Sequence, residues 1–202
     1  MAATNRNVFI NCPFDSKYQL LFRAIVYTVK RSGFQPRCAL EVDDASETRL
    51  EKICKIVAAC RYGVHDISRT ELDRKSRLPR FNMPFELGVF IGAKKFGRGQ
   101  GTKRCTIFDT EPYRYQKFIS DIAGQDVHAH GDDHRRLIKD LAAWLRDQSN
   151  DPKVPGGHAI AREFDRFLDR LPIICRQRDL ATDELTFGDL AQLSAAYIAE
   201  TA

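Results

Sequence analysis

No run of apolar residues in this chain approaches the ~20 that a membrane-spanning helix needs. The opening MAATNRNVFI has neither the charged start nor the long apolar stretch of a signal peptide. Both absences lead us to expect a cytosolic protein with no membrane contact. Closely spaced cysteine pairs are missing too. Cys12, Cys38, Cys54, Cys60, Cys105 and Cys175 include no C-x-x-C and lie mostly within apolar runs. They read as small core residues in a reducing compartment, with neither disulfides nor a cysteine zinc site expected. There is no G-x-x-x-x-G-K-[ST] phosphate loop: GRGQGTKR, residues 97–104, follows a helical pattern and precedes a strand, the reverse of the order that aims helix N–H groups at phosphate. A Gly-x-Ser-x-Gly elbow is absent as well, so acyl hydrolysis has no support. What is present fits a globular domain. A hydrophobic fraction of 43% with aromatics throughout excludes disorder, and 202 residues suffice for one full core plus an appendage. The net charge of +5 permits an anionic ligand without demanding nucleic acid.

The pattern along the chain alternates strand with helix. Residues 7–11 form an apolar run ending in the turn NCPFD. A helical stripe of Leu21, Ile25 and Val29, widened by Phe22 and Val26, runs until Gly33 stops it. A second strand is expected over 36–42. Ser46 is then placed to cap a helix with Leu50, Ile53, Val57 and Cys60 on one face. A third strand covers 62–68, a charged solvated loop 70–80, a helix the stretch from Pro84, and a fourth strand 104–109. Beyond these we expect a helix over 115–123, a short fifth strand in DVHAH, and a helix capped by Asp132 or Asp133 that runs to about Gln148. Such alternation predicts a doubly wound α/β fold with a parallel sheet over residues 1–148. Residues 149–157 read as a linker. Residues 158–202 then form a helical extension, with Ile160, Phe164, Phe167, Leu168 and Leu171 lining one helix and Leu190, Leu193 and Tyr197 the other.

The segment FNMPFELGVFIGAKK sets one carboxylate, Glu86, in an otherwise apolar helix. Proline is tolerated in the opening turn, so Pro84 puts Glu86 near the helix start. There the unsatisfied N–H groups favour an ionised carboxylate by ~0.3–1 kcal/mol. The same pattern also fits an ordinary helix start. In open α/β sheets, ligands bind outside the carboxyl ends of the strands where the chain order reverses. That rule selects Asn11, Phe14 and Asp15 after the first strand, Asp66, Ser68 and Arg69 after the third, and Asn82 with Glu86 at the helix start. An aromatic to stack, carboxylates, and an arginine for phosphate suit a nucleoside or nucleotide. Each residue also has a plainer reading as a turn residue, a cap or a solvated side chain. His128, His130, Asp132 and His134 have the makings of a metal site. A strand end followed by an Asp cap explains them more simply, and no metal is expected.

Together, VFINCPFD, the VHDIS strand end and N-M-P-F-E-L-G-x-x-x-G resemble the bacterial branch of the superfamily that joins Toll/interleukin-1-receptor (TIR) domains with nucleoside 2-deoxyribosyltransferases. The resemblance covers roughly residues 7–148, and residues 158–202 lie outside it. It implies a flavodoxin-like sheet of five parallel strands ordered 2-1-3-4-5, and attack on an N-glycosidic bond with Glu86 as the catalytic carboxylate. Phe14, Asp15, Asp66 and Asn82 match the family's ligand contacts in position. Three activities follow as expectations: an NAD hydrolase or cyclase, a deoxyribosyltransferase or nucleosidase, and a non-catalytic module that signals by self-association. A nucleobase leaving group wants a proton donor, for which Asp66, His65 and Tyr62 are the candidates; nicotinamide leaves NAD neutral and needs none. NAD would be substrate and not cofactor, a homo-oligomer is expected, and a role in bacterial stress or anti-phage signalling is implied by analogy.

Overall fold

The computed structural model describes residues 5–72 and 77–201. Its sheet has five parallel strands, β1 (Asn7–Asn11), β2 (Gln35–Arg37), β3 (Tyr62–Asp66), β4 (Arg104–Asp109) and β5 (Val127–Ala129), in the order β2-β1-β3-β4-β5. This is the flavodoxin-like α/β arrangement. The winding reverses between β1 and β3, whose register sets Asn11 beside His65 at the carboxyl end. All five residues of β3 are buried, as expected for a central parallel strand covered on both faces.

The described residues fall into two compact units, one of residues up to 18 and 37–132, the other of residues 19–36 and those from 133 on. In the first unit, helices α2 (Arg49–Ala59) and α3 (Asn82–Phe96) bury Ile53, Ile56, Val57 and Phe90 against Phe9 of β1. Fully burying one such side chain stabilises by about 1.5–3 kcal/mol. Lys103 is buried behind this cluster, where its Nζ donates to the carbonyls of Val57 and Cys60 and lies 5.1 Å from the Phe90 ring centroid. It ties the last turn of α2 to the start of β4. The second unit is helical: α1 (Gln19–Arg31), α4 (His134–Ser149), α5 (Gly157–Arg176) and α6 (Phe187–Thr201). Tyr27 packs on Phe164 and Phe167 with ring centroids 5.4 and 5.1 Å apart, and Arg31 pairs with Glu163 at 2.6 Å. The stripes of Ile160, Phe164, Phe167 and Leu171 and of Leu190 and Leu193 are buried here. Asp133 caps α4 by accepting the Arg135 N–H.

Several elements depart from their sequence pattern, each for a local reason. The strand expected over 36–42 ends at Arg37 and passes into a 3₁₀ turn at Ala39–Glu41, which lets Arg37 donate from Nε to Glu41 at 2.7 Å. Thr48, not Ser46, caps α2. It forms a reciprocal capping box with Glu51, whereas the Ser46 N–H is taken by Asp44. Of the expected stripe, Ile53, Val57 and Cys60 are buried and Ile56 joins them, while Leu50 is exposed, as is Cys54. The third strand stops at Asp66 because the Ser68 N–H turns back to its carboxylate. Two 3₁₀ turns, Arg114–Lys117 and Ser120–Ile122, replace the helix expected over 115–123, since Ile119 between them is non-helical. Within the charged loop 70–80, Leu72 and Pro79 form an antiparallel bridge; residues 73–76 lie outside the described residues.

Replacing Thr48 with Ala removes half of the capping box and is expected to cost about 1 kcal/mol in urea unfolding, while Ser46→Ala leaves the midpoint within about 0.5 kcal/mol. Equal effects would show that the cap is not where the stability of α2 lies.

Candidate functional site

The carboxyl ends of β1 and β3 meet the start of α3. Asn11 ends β1, and its amide nitrogen donates to the Met83 carbonyl at 2.8 Å and faces His65 Nδ1 at 3.1 Å. A carbonyl only accepts, which fixes the amide orientation, so His65 Nδ1 accepts in turn and its proton sits on Nε2. The imidazole is edge-on to Phe9 and Phe90. Burial pushes its pKa down to about 3, so it is neutral at physiological pH. A Cβ at Gly63 would come within 2.6 Å of His65 Nε2, which is why β3 carries a glycine there.

The next residue, Asp66, points to the opposite face of β3 and is wholly buried. Its Oδ2 accepts the Tyr18 hydroxyl at 2.5 Å and lies 3.0 Å from His130 Nε2, while its Oδ1 accepts the Ser68 N–H at 2.9 Å. His130 Nδ1 accepts the Asp132 N–H, so its proton is on the nitrogen facing Asp66. Burial alone would raise the Asp66 pKa; the bonds from His130, Ser68 and Tyr18 outweigh it and hold the carboxyl below its usual range. The Tyr18 phenol is pushed well up by its own burial and by the Asp66 charge. Arg114 braces the same strand ends. It donates to Asp109 at 2.7 Å, to the carbonyls of Ser68 and Ile67 at 2.7 and 3.1 Å, and to Thr70 at 3.2 Å. No sequence pattern singled Arg114 out, because it falls between the fourth strand and the helix expected over 115–123, where an arginine reads as solvated.

Above these buried groups opens a crevice of about 530 Å³, lined by Pro13, Phe14, Asp15, Arg49, Arg69, Arg80, Asn82 and Met83. Its size is that of a small-molecule site. Of the residues selected from sequence, Phe14, Asp15, Arg69 and Asn82 line it; Asn11, Asp66, Ser68 and Glu86 do not and are buried. Asp15 also shapes its own turn by accepting the N–H groups of Lys17 and Tyr18. Arg69 reaches Asp132 at 3.4 Å. Arg49 and Arg80 were not selected: the first opens α2 and the second ends a charged loop, and both are solvated positions on the sequence alone. Arg49, Arg69 and Arg80 give the crevice wall guanidinium groups suited to an anion, two of them in loose ion pairs, Arg49 with Glu86 at 3.8 Å and Arg69 with Asp132 at 3.4 Å. Asn82 and Met83 are the first residues of α3, whose N-cap Phe81 supplies no side-chain cap, so that helix start adds its positive end.

Glu86 corrects its sequence reading. Helix α3 begins at Asn82, which makes Pro84 its third residue and puts Glu86 in the second turn; the first turn carries no acid. The carboxylate is 4% exposed, and Arg49 Nη2 lies 3.8 Å from its Oε1. Burial raises its pKa above the usual carboxylate value and Arg49 offsets part of the rise. The expected pre-ionised acid is therefore a desolvated one, because the helix-end field fades beyond the first turn. Cys12 lies nearby, its thiol pushed well up by burial and then by Asp66, Cys38, Glu86 and Asp15.

The histidines of HAHGDDH have separate partners: His128 packs on Phe108, His130 faces Asp66, and His134 pairs with Asp165. Among the described residues no group of three or more His, Cys, Asp or Glu is placed to hold a metal ion.

The raised Glu86 pKa fixes the sign of its contribution to stability. Its stabilising effect is fully present below the unfolded-state value and is lost as pH rises through the folded value. Glu86→Gln is thus expected to raise the urea midpoint at pH 7 and to have little effect below about pH 4, near the unfolded glutamate value; the opposite trend would mean that Arg49 dominates. Comparison with protein-family models, curated proteins and solved structures finds no match for this chain.

Proposed function

We propose that this chain binds a nucleotide in the arginine-lined crevice and cleaves its N-glycosidic bond, with NAD as the substrate and Glu86 as the reacting carboxylate. The observation that carries this reading is the pairing of the buried Glu86 with Arg49, which itself lines the crevice at the winding reversal of the sheet. In the reaction, the bond from ribose C1′ to the nicotinamide nitrogen breaks. Its electron pair stays on that nitrogen and discharges the pyridinium, while positive charge develops on C1′ and the ring oxygen. A desolvated carboxylate stabilises such a cation far more strongly than a hydrated one, or traps it covalently, as in retaining glycoside hydrolysis. Water at C1′ then yields ADP-ribose and a proton; attack by a base nitrogen of the same molecule yields a cyclic product.

The state of the nearby groups favours nicotinamide over a purine or pyrimidine. An ordinary nucleobase leaves best when protonated. His65 is neutral at physiological pH, and Asp66 is held below its usual range with three donors on it. Tyr62 begins β3, at the end remote from the crevice. Nicotinamide needs no donor. A deoxyribosyltransferase or nucleosidase would have to draw its proton from Glu86 itself, the same group required as an anion at C1′. The self-association reading draws on a different observation: Leu72, Leu78, Phe81 and Phe85 are exposed apolar side chains in and after the 70–80 loop. The two readings are compatible, since a homo-oligomer can bring the crevice into its working form. A cytoplasmic role in bacterial stress or anti-phage signalling accords with such a protein.

The test follows nicotinamide release from NAD by chromatography over a range of protein concentrations. Wild type is expected to release it and Glu86→Gln to be slower by about 10²-fold or more. Equal rates would remove Glu86 from the chemistry. Base release from deoxynucleosides in preference to NAD would move the assignment to the transferase side.

A further inference from the structure

Arg49 belongs to two sites at once. It is the first residue of α2, half exposed, and its guanidinium forms part of the crevice wall with Arg69 and Arg80. The same group lies 3.8 Å from Glu86, a carboxylate that is 4% exposed and does not itself line the crevice. Arg49 is also the charged group that offsets the cost of burying Glu86. At 3.8 Å the pair is an ion pair without a tight hydrogen bond, so it is easily exchanged for a better one. A phosphate offers that better partner. It accepts a guanidinium fork bidentately, at shorter distance and with more charge than a single carboxylate oxygen.

We propose that Arg49 is the residue through which occupancy of the crevice reaches Glu86: a phosphate-bearing nucleotide engages the Arg49 guanidinium and draws it off the carboxylate. The proposal rests on reading the crevice as a nucleotide site. Binding and reaction are then coupled. While Arg49 stays on Glu86, the carboxylate is balanced by a fixed cation and has little to offer a developing cation at C1′. Once the phosphates hold Arg49, the negative charge of Glu86 is compensated by the substrate's own ribosyl centre as it becomes positive. A nucleoside without phosphates leaves the pair closed. Arg49 thereby acts as a positioning and specificity residue, favouring phosphorylated ligands at the point where bond breaking starts.

Coupling of this kind has a signature that a structural role does not share: removing the Glu86 charge should tighten phosphate binding. Affinities for ADP and for adenosine are measured by calorimetry for wild type, Glu86→Gln, Arg49→Ala and the double variant, with circular dichroism to establish folding. Glu86→Gln is expected to bind ADP about two- to fivefold more tightly, the exchange value of a partly exposed ion pair. Arg49→Ala is expected to bind it about tenfold more weakly, and the double variant to match Arg49→Ala. Adenosine affinity should change in none of them. An unchanged ADP affinity in Glu86→Gln, or an equal gain with Arg49 absent, overturns the coupling while leaving the crevice as a nucleotide site. Wild type that does not bind ADP overturns both.

Discussion

The carboxylate of Asp66 is the constraint on which the site depends. It is wholly buried at the carboxyl end of the central strand, where an uncompensated charge would cost several kcal/mol. It is held ionised by donors from three separate stretches of chain: Tyr18 after the β1 turn, Ser68 in the loop after β3, and His130 after β5. The charge therefore acts as a fastener, because displacing any one of these loops leaves a desolvated anion short of a partner. Arg114 serves β4 in the same way, through Asp109 and the carbonyls of Ile67 and Ser68.

Two buried carboxylates of the same unit are thus shifted in opposite directions. Asp66 accepts hydrogen bonds and is held below the usual carboxylate range; Glu86 has a half-exposed arginine at 3.8 Å and is raised above it. Environments that push a pair of acids apart in this way commonly separate a structural or electrostatic role from a reactive one. Hydrogen bonds compensate the Asp66 charge. Glu86, with a single loose arginine partner, is the less compensated of the two.

Asn11 and His65 complete the division of labour on the other face of β3. The amide of Asn11 fastens the first turn of α3 to the end of β1 through the Met83 carbonyl. His65 is locked neutral under Phe9 and Phe90, a packing element and not an acid. Both were legible as residues at the right strand ends. Their roles as fasteners were not, because a polar residue at a strand end has the same sequence signature whether it faces a ligand or a buried partner.

Periodicity and punctuation in the sequence determined the alternation of strands and helices, the apolar run of β3, the stop at Gly33, the Asp cap of α4 and the amphipathic stripes of α5 and α6. These depend on neighbours within a few residues, which the sequence displays directly. The cap of α2 and the 3₁₀ turns after β4 went differently, since competing partners of similar local quality were on offer and side-chain bonds chose among them. Tertiary structure alone decided the electrostatics of the site. Arg49 and Glu86 are 37 positions apart and Tyr18 and Asp66 are 48, and the desolvation that raises one carboxylate while donors lower the other exists only once the strands are paired. Position along the chain selects which groups carry charge. Burial and long-range partners set what that charge can do.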